Sequence, residues 1–213
     1  MLHFYKTPNL LKKISKDLIW SIPTNKKEIY LTFDDGPIPN LTEYVLDILN
    51  EFEAKASFFC VGENIYKYPD ICQRIVEKGH ILGNHTYNHL KGWSSKNEHY
   101  FENVEKCNNY ISNYKEAVQK PLFRPPHGQI TINQINHLKD KYKIIMWDIL
   151  AYDFNNNHSP QKSLTKIIQQ TKPGSIVVFH DNYKAEEKMK YMLPGYIKHF
   201  KERGFTFKKL EAI

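Results

Sequence analysis

Cysteine is scarce: the 213 residues hold three, Cys60, Cys72 and Cys107. An odd count without metal-type spacing argues against a disulfide framework. Cys60 lies in the apolar run Phe58-Phe59-Cys60-Val61, the setting of a buried reduced thiol. No apolar run approaches membrane-spanning length. Met1-Leu2-His3-Phe4-Tyr5-Lys6 lacks the uninterrupted apolar core of a cleavable signal peptide, and Lys12, Lys13 and Lys16 break up the apolar residues that follow. The chain is expected to be soluble and cytoplasmic. No internal repeat, linker or low-complexity segment divides it, so one enzyme-sized domain is expected. The formal net charge is +7, but the lysines are scattered and no nucleic-acid motif accompanies them. Such a basic surface fits solubility, or attraction to anionic cell-envelope polymers, better than nucleic-acid binding.

What is present is alternation. Residues 28–33, 56–61, 80–84, 122–124, 143–150, 175–180 and 205–210 read as strands. Helical periodicity fills 65–78, 96–118, 132–139, 159–171 and 188–203. Another helix starts at Asn40, where Glu43 completes a capping-box pattern and Val45, Leu46, Leu49 and Phe52 face inward. Strands that alternate with helices pair in parallel. Residues 9–22 carry Leu10, Leu11, Ile14, Leu18 and Ile19 at helical spacing, and an amphipathic helix packed on the core is expected there in preference to one on a membrane.

Two fragments carry chemistry: Thr32-Phe33-Asp34-Asp35-Gly36-Pro37 and His85-Thr86-Tyr87-Asn88-His89. Histidines four apart share one face of a helical turn, so His85 and His89 can converge on one cation, with Asp35 as third ligand. Two imidazoles and one carboxylate leave a coordination position open for water or substrate. Asp34 points to the other side of the strand end, free to act as a base. Each motif alone has a commonplace reading, a solvated turn or a surface histidine pair. Together they suit metal-assisted hydrolysis.

Three further fragments place polar groups at the ends of apolar runs: Phe123-Arg124-Pro125-Pro126-His127-Gly128, Trp147-Asp148-Ile149-Leu150-Ala151-Tyr152-Asp153-Phe154 and Gly174-Ser175-Ile176-Val177-Val178-Phe179-His180-Asp181. With five motifs in this order, the chain from residue 28 onward resembles the polysaccharide deacetylases, carbohydrate esterase family four. The resemblance implies a distorted α/β barrel of about seven parallel strands, short of the usual eight, with residues 1–27 as an extension packed on a catalytic domain at 28–213. It implies that Asp34 is the general base and Asp35, His85 and His89 the metal ligands. Arg124 then holds the base, and the His127 backbone N–H donates to the oxyanion. His180 is the general acid, oriented by Asp153, and Phe154 shapes the pocket for the acetyl methyl.

This sequence departs from the family at Leu150, where an extra Asp is common, at Phe154, often Trp, and at His127, commonly Tyr or Phe. These positions bear on substrate preference more than on activity. The implied function is removal of N-acetyl groups from amino sugars in a glycan, of chito-oligosaccharide or peptidoglycan type. Zinc is the favoured metal, with cobalt, nickel or iron able to use similar ligands. Hydrolysis of another amide or of O-acetyl esters on xylan remains an alternative, as does a catalytically silent glycan-binding domain.

Overall fold

Burial on both faces decides which segments become strands. In the computed structural model, which describes residues 5–13, 16–114 and 120–210, the run Glu28–Asp34 has six of its seven residues buried. Such a continuous apolar strand suits a parallel sheet covered on both sides. The described strands are β1 (Leu18–Ile19), β2 (Glu28–Asp34), β3 (Ser57–Cys60), β4 (Ile81–Asn84), β5 (Leu122–Phe123), β6 (Lys143–Ile145), β7 (Ile149–Leu150), β8 (Ile176–His180) and β9 (Thr206–Lys208). Between them lie α1 (Leu41–Glu51), α2 (Gly62–Lys67), α3 (Pro69–Glu77), α4 (Asn97–Ser112), α5 (Ile132–Leu138), α6 (Pro160–Gln170) and α7 (Glu186–Lys201).

All ladders are parallel, in the order β1-β6-β5-β4-β3-β2-β8-β7, with β9 paired to the start of β2. β6 and β7 are consecutive in the chain yet near opposite ends of this order, so the sheet curls into an open barrel. The N-terminal segment laces the seam: Leu150 N donates to Tyr5 O, Thr7 N to Asp148 O and Met146 N to Ile19 O. Lys12 also pairs with the buried Asp148.

The strand count exceeds the expected seven for two reasons. The apolar run 143–150 is cut at Met146-Trp147-Asp148, whose carbonyls turn to other partners: Met146 O accepts from Arg124 and Trp147 O from Thr7. The second addition is β1, where an amphipathic helix over 9–22 was expected. That stretch forms one 3-10 turn, Leu11–Lys13, and then the edge strand, because pairing with β6 satisfies its backbone and overrides the helical pattern. Ile14 lies outside the described residues, and Leu10 is 79% exposed rather than packed.

The helix expected over 65–78 is two, α2 and α3, because Pro69 disfavours helical backbone at Tyr68 and begins a new helix itself. α4 ends at Ser112, and the expected extension through 115–119 lies outside the described residues. The capping box forms as expected, with Asn40 N donating to Glu43 Oε2 at 2.9 Å.

α1 and α7 cover the sheet with Val45, Leu46, Leu49, Met189, Leu193 and Ile197, packed against Leu31, Phe33 and Phe179. All three cysteines are buried, and burial pushes the Cys72 thiol up to about 12. Such thiols are inert. Among the described residues no helix is long and apolar enough to cross a membrane.

Candidate active site

Every candidate site residue lies at or just beyond the C-terminal end of a strand, where barrels of this kind gather their chemistry. Asp34 closes β2 and is 4% exposed, and Arg124, just after β5, is fully buried. Arg124 Nη1 donates to Asp34 Oδ1 at 2.6 Å and to Thr32 Oγ1 at 2.8 Å. Its Nη2 donates to Met146 O at 2.9 Å and its Nε to Ile145 O at 3.3 Å. The guanidinium also lies 4.0 Å from the Phe59 ring centre. A buried charge is costly unless paired and hydrogen-bonded, and this one is both.

Asp35 turns away from its neighbour because its φ is 84°, outside the strand region. Its Oδ1 lies 3.1 Å from His89 Nε2 and 3.5 Å from His85 Nε2. The three potential ligand atoms all fall within 4.8 Å of one another. His85 Nδ1 is 2.8 Å from Arg124 O; since a carbonyl only accepts, Nδ1 carries the proton and Nε2 keeps its lone pair toward Asp35. Burial pushes His85 down to about 4, against the opposing pull of Asp34 and Asp35, so its imidazole is neutral at pH 7.

The expected helical turn is absent: residues 85–89 form a loop after β4. Convergence comes instead from positive φ at Thr86 (62°) and His89 (58°). Side-chain oxygens brace this loop, with Thr86 N donating to Asn84 Oδ1, Tyr87 N to Asn103 Oδ1 and Leu90 N to Thr86 Oγ1. His127 also has positive φ, 58°. Backbone strain of this kind persists where surrounding structure enforces it, and it clusters on these motifs.

Asp35 Oδ1 is buried without a hydrogen bond, whereas Oδ2 accepts from Asn182 Nδ2 at 2.5 Å. A buried carboxylate oxygen facing two imidazole nitrogens is costly as it stands, and a divalent cation satisfies all three atoms. The donor set therefore fits a divalent cation.

Opposite, His180 ends β8. Its Nδ1 contacts Asp153 Oδ1 at 2.8 Å and its backbone N donates to Asp153 Oδ2 at 2.7 Å. Asp153 is fully buried. Burial alone would lower the His180 pKa, but the charge and hydrogen bond of Asp153 outweigh it and hold it up at about 9. The Phe154 ring stands edge-on to the His180 imidazole at 4.9 Å, and the His127 ring stands edge-on to His89 at 4.7 Å.

Asp34, Asp35, His85, His89, His127, Phe154 and His180 line one cavity of about 460 Å³, with Arg124 and Asp153 immediately behind it. Leu150 and Val178 add apolar wall. Asn182, Trp147 and Lys184, which the motifs do not mark as functional, also line the cavity. Trp147 stands within one of the five motifs, and Asn182 and Lys184 closely follow His180-Asp181, so proximity to the motifs was the available signal. Asp181 is likewise unmarked: it is buried and accepts from Gly36 N at 3.1 Å and from Thr42 Oγ1 at 2.5 Å. A Cβ on Gly36 would fall 2.0 Å from Asp181 Oδ2, so that approach requires glycine.

A curled parallel sheet that brings a 2-His-1-Asp cluster and an Asp-held histidine to one cavity gathers the parts that metal-assisted hydrolysis requires, and so points to a hydrolase. The sequence profile described as polysaccharide deacetylase matches residues 21–142, and the chain belongs to that family. A peptidoglycan-N-acetylglucosamine deacetylase of Bacillus cereus is 30% identical over 192 residues, covering 88% of each chain. A chitooligosaccharide deacetylase of Azorhizobium caulinodans is 31% identical over 170 residues, covering 78% of this chain and 79% of its own. The crystal structure of the Bc1960 peptidoglycan N-acetylglucosamine deacetylase superposes with a TM-score of 0.85 at 29% identity, covering 96% of this chain and 95% of that one.

Proposed function

We propose that the protein is a metal-dependent hydrolase that removes N-acetyl groups from N-acetylated amino sugars within a glycan of chito-oligosaccharide or peptidoglycan type, releasing acetate. The observation that carries this reading is the cavity shared by the Asp35, His85 and His89 cluster, Asp34 and His180. The named activities of the B. cereus and A. caulinodans relatives support it.

Asp35, His85 and His89 would hold the cation, zinc by preference for this ligand set. When bound, it supplies Lewis-acid polarisation of the acyl carbonyl and acidifies water. Asp34 is engaged by Arg124 through Oδ1 and reaches the cavity, so it accepts the proton of the attacking water. The backbone N–H of His127 donates to the oxyanion that forms on the former carbonyl oxygen. His180 is tied to Asp153 through Nδ1, so its Nε2 is the atom left to protonate the departing amine. Phe154 and Leu150 offer apolar surface to the acetyl methyl.

The test is acetate release from chito-oligosaccharides, peptidoglycan and acetylated xylan, with zinc or cobalt added, and identification of the product. Free amino sugar together with acetate is expected. Acetate from xylan alone would make the protein an esterase, and release from none of the three would overturn the reading.

A further inference from the structure

Asn182 lies two residues beyond His180 and lines the cavity. Its side-chain Oδ1 accepts from Ala185 N at 3.0 Å, at the start of α7, while Nδ2 donates to Asp35 Oδ2 at 2.5 Å. This fixes the orientation of the amide: exchanging its O and N would set an acceptor against the carboxylate and a donor against the Ala185 N–H. The backbone on either side is braced as well. Asp181 N donates to Asp34 O at 3.2 Å, and Asp181 Oδ1 accepts from Gly36 N. Residues 180–182 thus grip the end of β2 from one side.

The two oxygens of Asp35 therefore differ. Oδ2 is committed to a neutral donor, while Oδ1 is buried, without a hydrogen bond, between two imidazole nitrogens. A carboxylate can offer a cation one oxygen or both. If Asp35 offered both, the second would compete for the position that a hydrolytic centre leaves open for water or substrate. We propose that Asn182 is a positioning residue that reserves Asp35 Oδ2, so that the carboxylate presents one oxygen to a bound dication and the open position is kept. This rests on the metal-dependent reading above.

The experiment uses the full chain loaded with cobalt(II), whose visible absorption weakens as coordination number rises. Asn182→Ala removes the donor. Asn182→Asp keeps the shape and the acceptor for Ala185 but cannot donate when ionised, and it carries the test if Asn182→Ala does not fold. Both variants are expected to change the cobalt spectrum, and Asn182→Ala to weaken cobalt binding about 10–100-fold in competition with a chromophoric chelator. With metal saturating, kcat should fall more than KM rises. An unchanged cobalt spectrum in a folded variant, with only KM raised, would overturn the proposal and make Asn182 a substrate contact. Failure of the unaltered chain to bind cobalt would overturn the metal-dependent reading itself, and the proposal with it.

Discussion

Asp34 gives Oδ1 to a buried guanidinium that four protein oxygens hold. Asp35, one residue on, keeps its Oδ1 buried between two imidazoles without a hydrogen bond. The same side chain thus meets two environments because the backbone leaves the strand at Asp35, with φ of 84°. The Asp34 half is electrostatically complete from protein atoms alone. The Asp35 half has its ligand atoms assembled but Oδ1 left without a hydrogen bond, the condition of a site arranged around a cation. A hydrolase needs both conditions side by side: a free base held in place, and a ligand set with room for water.

Removing the cation should break one half and spare the other. Chelation, or His89→Ala at a half-exposed position, is expected to reduce activity to background and to lower the melting temperature, since a ligand of the folded state is lost, while the fold persists. Elemental analysis and a restored rate on adding zinc check this, and a full rate in metal-free protein would contradict it. The complementary break is Arg124→Met. It leaves the Asp34 carboxylate buried without its partner and is expected to cost about 3–5 kcal/mol of stability, read by denaturant unfolding.

A subtler change sharpens the contrast between the two carboxylates. Asp34→Asn keeps the shape but cannot accept the water's proton. Turnover should fall by about two or more powers of ten, while bound metal per chain stays at the wild-type level. If metal and activity disappeared together, Asp34 would be a ligand, and the two halves would not be separate.

The candidate site was legible in the sequence because the proposed chemistry demands particular side chains in a particular order, and all nine residues named from the motifs meet in or behind one cavity. Conformation was less legible. The spacing of His85 and His89 matched a helical turn, yet a loop with positive φ performs the same convergence, and periodicity cannot distinguish the two. The break at residues 146–148 was invisible because its causes, Arg124 and Thr7, are distant in sequence. Asn182 escaped for the same reason: its acceptor on Asp35 is 147 positions away. Local pattern reported the alternation of elements, and long-range hydrogen bonds decided where strands end and which polar atoms stay free.

The smallest expected effect concerns protonation on the far side of the cavity. Burial would depress His180, but Asp153 outweighs it and raises the pKa from 6.5 to about 9. In the proposed role of acid His180 must be protonated, so activity against pH should fall on the alkaline side as it titrates. Part of the elevation comes from the charges of Asp35 and Asp34; a cation bound at Asp35 offsets that part and places the limb of the loaded enzyme below about 9. Asp153→Asn removes the largest favourable contribution and should move the limb further toward acid pH, leaving the acid limb nearly in place. Stability follows the same linkage. Because the folded pKa lies above the unfolded one, the His180–Asp153 pair contributes fully below about 6.5, and that contribution is lost as pH rises through about 9. Wild type should therefore lose more stability than Asp153→Asn across this window. An alkaline limb that stays put in Asp153→Asn would mean that the leaving amine takes its proton from a group other than His180.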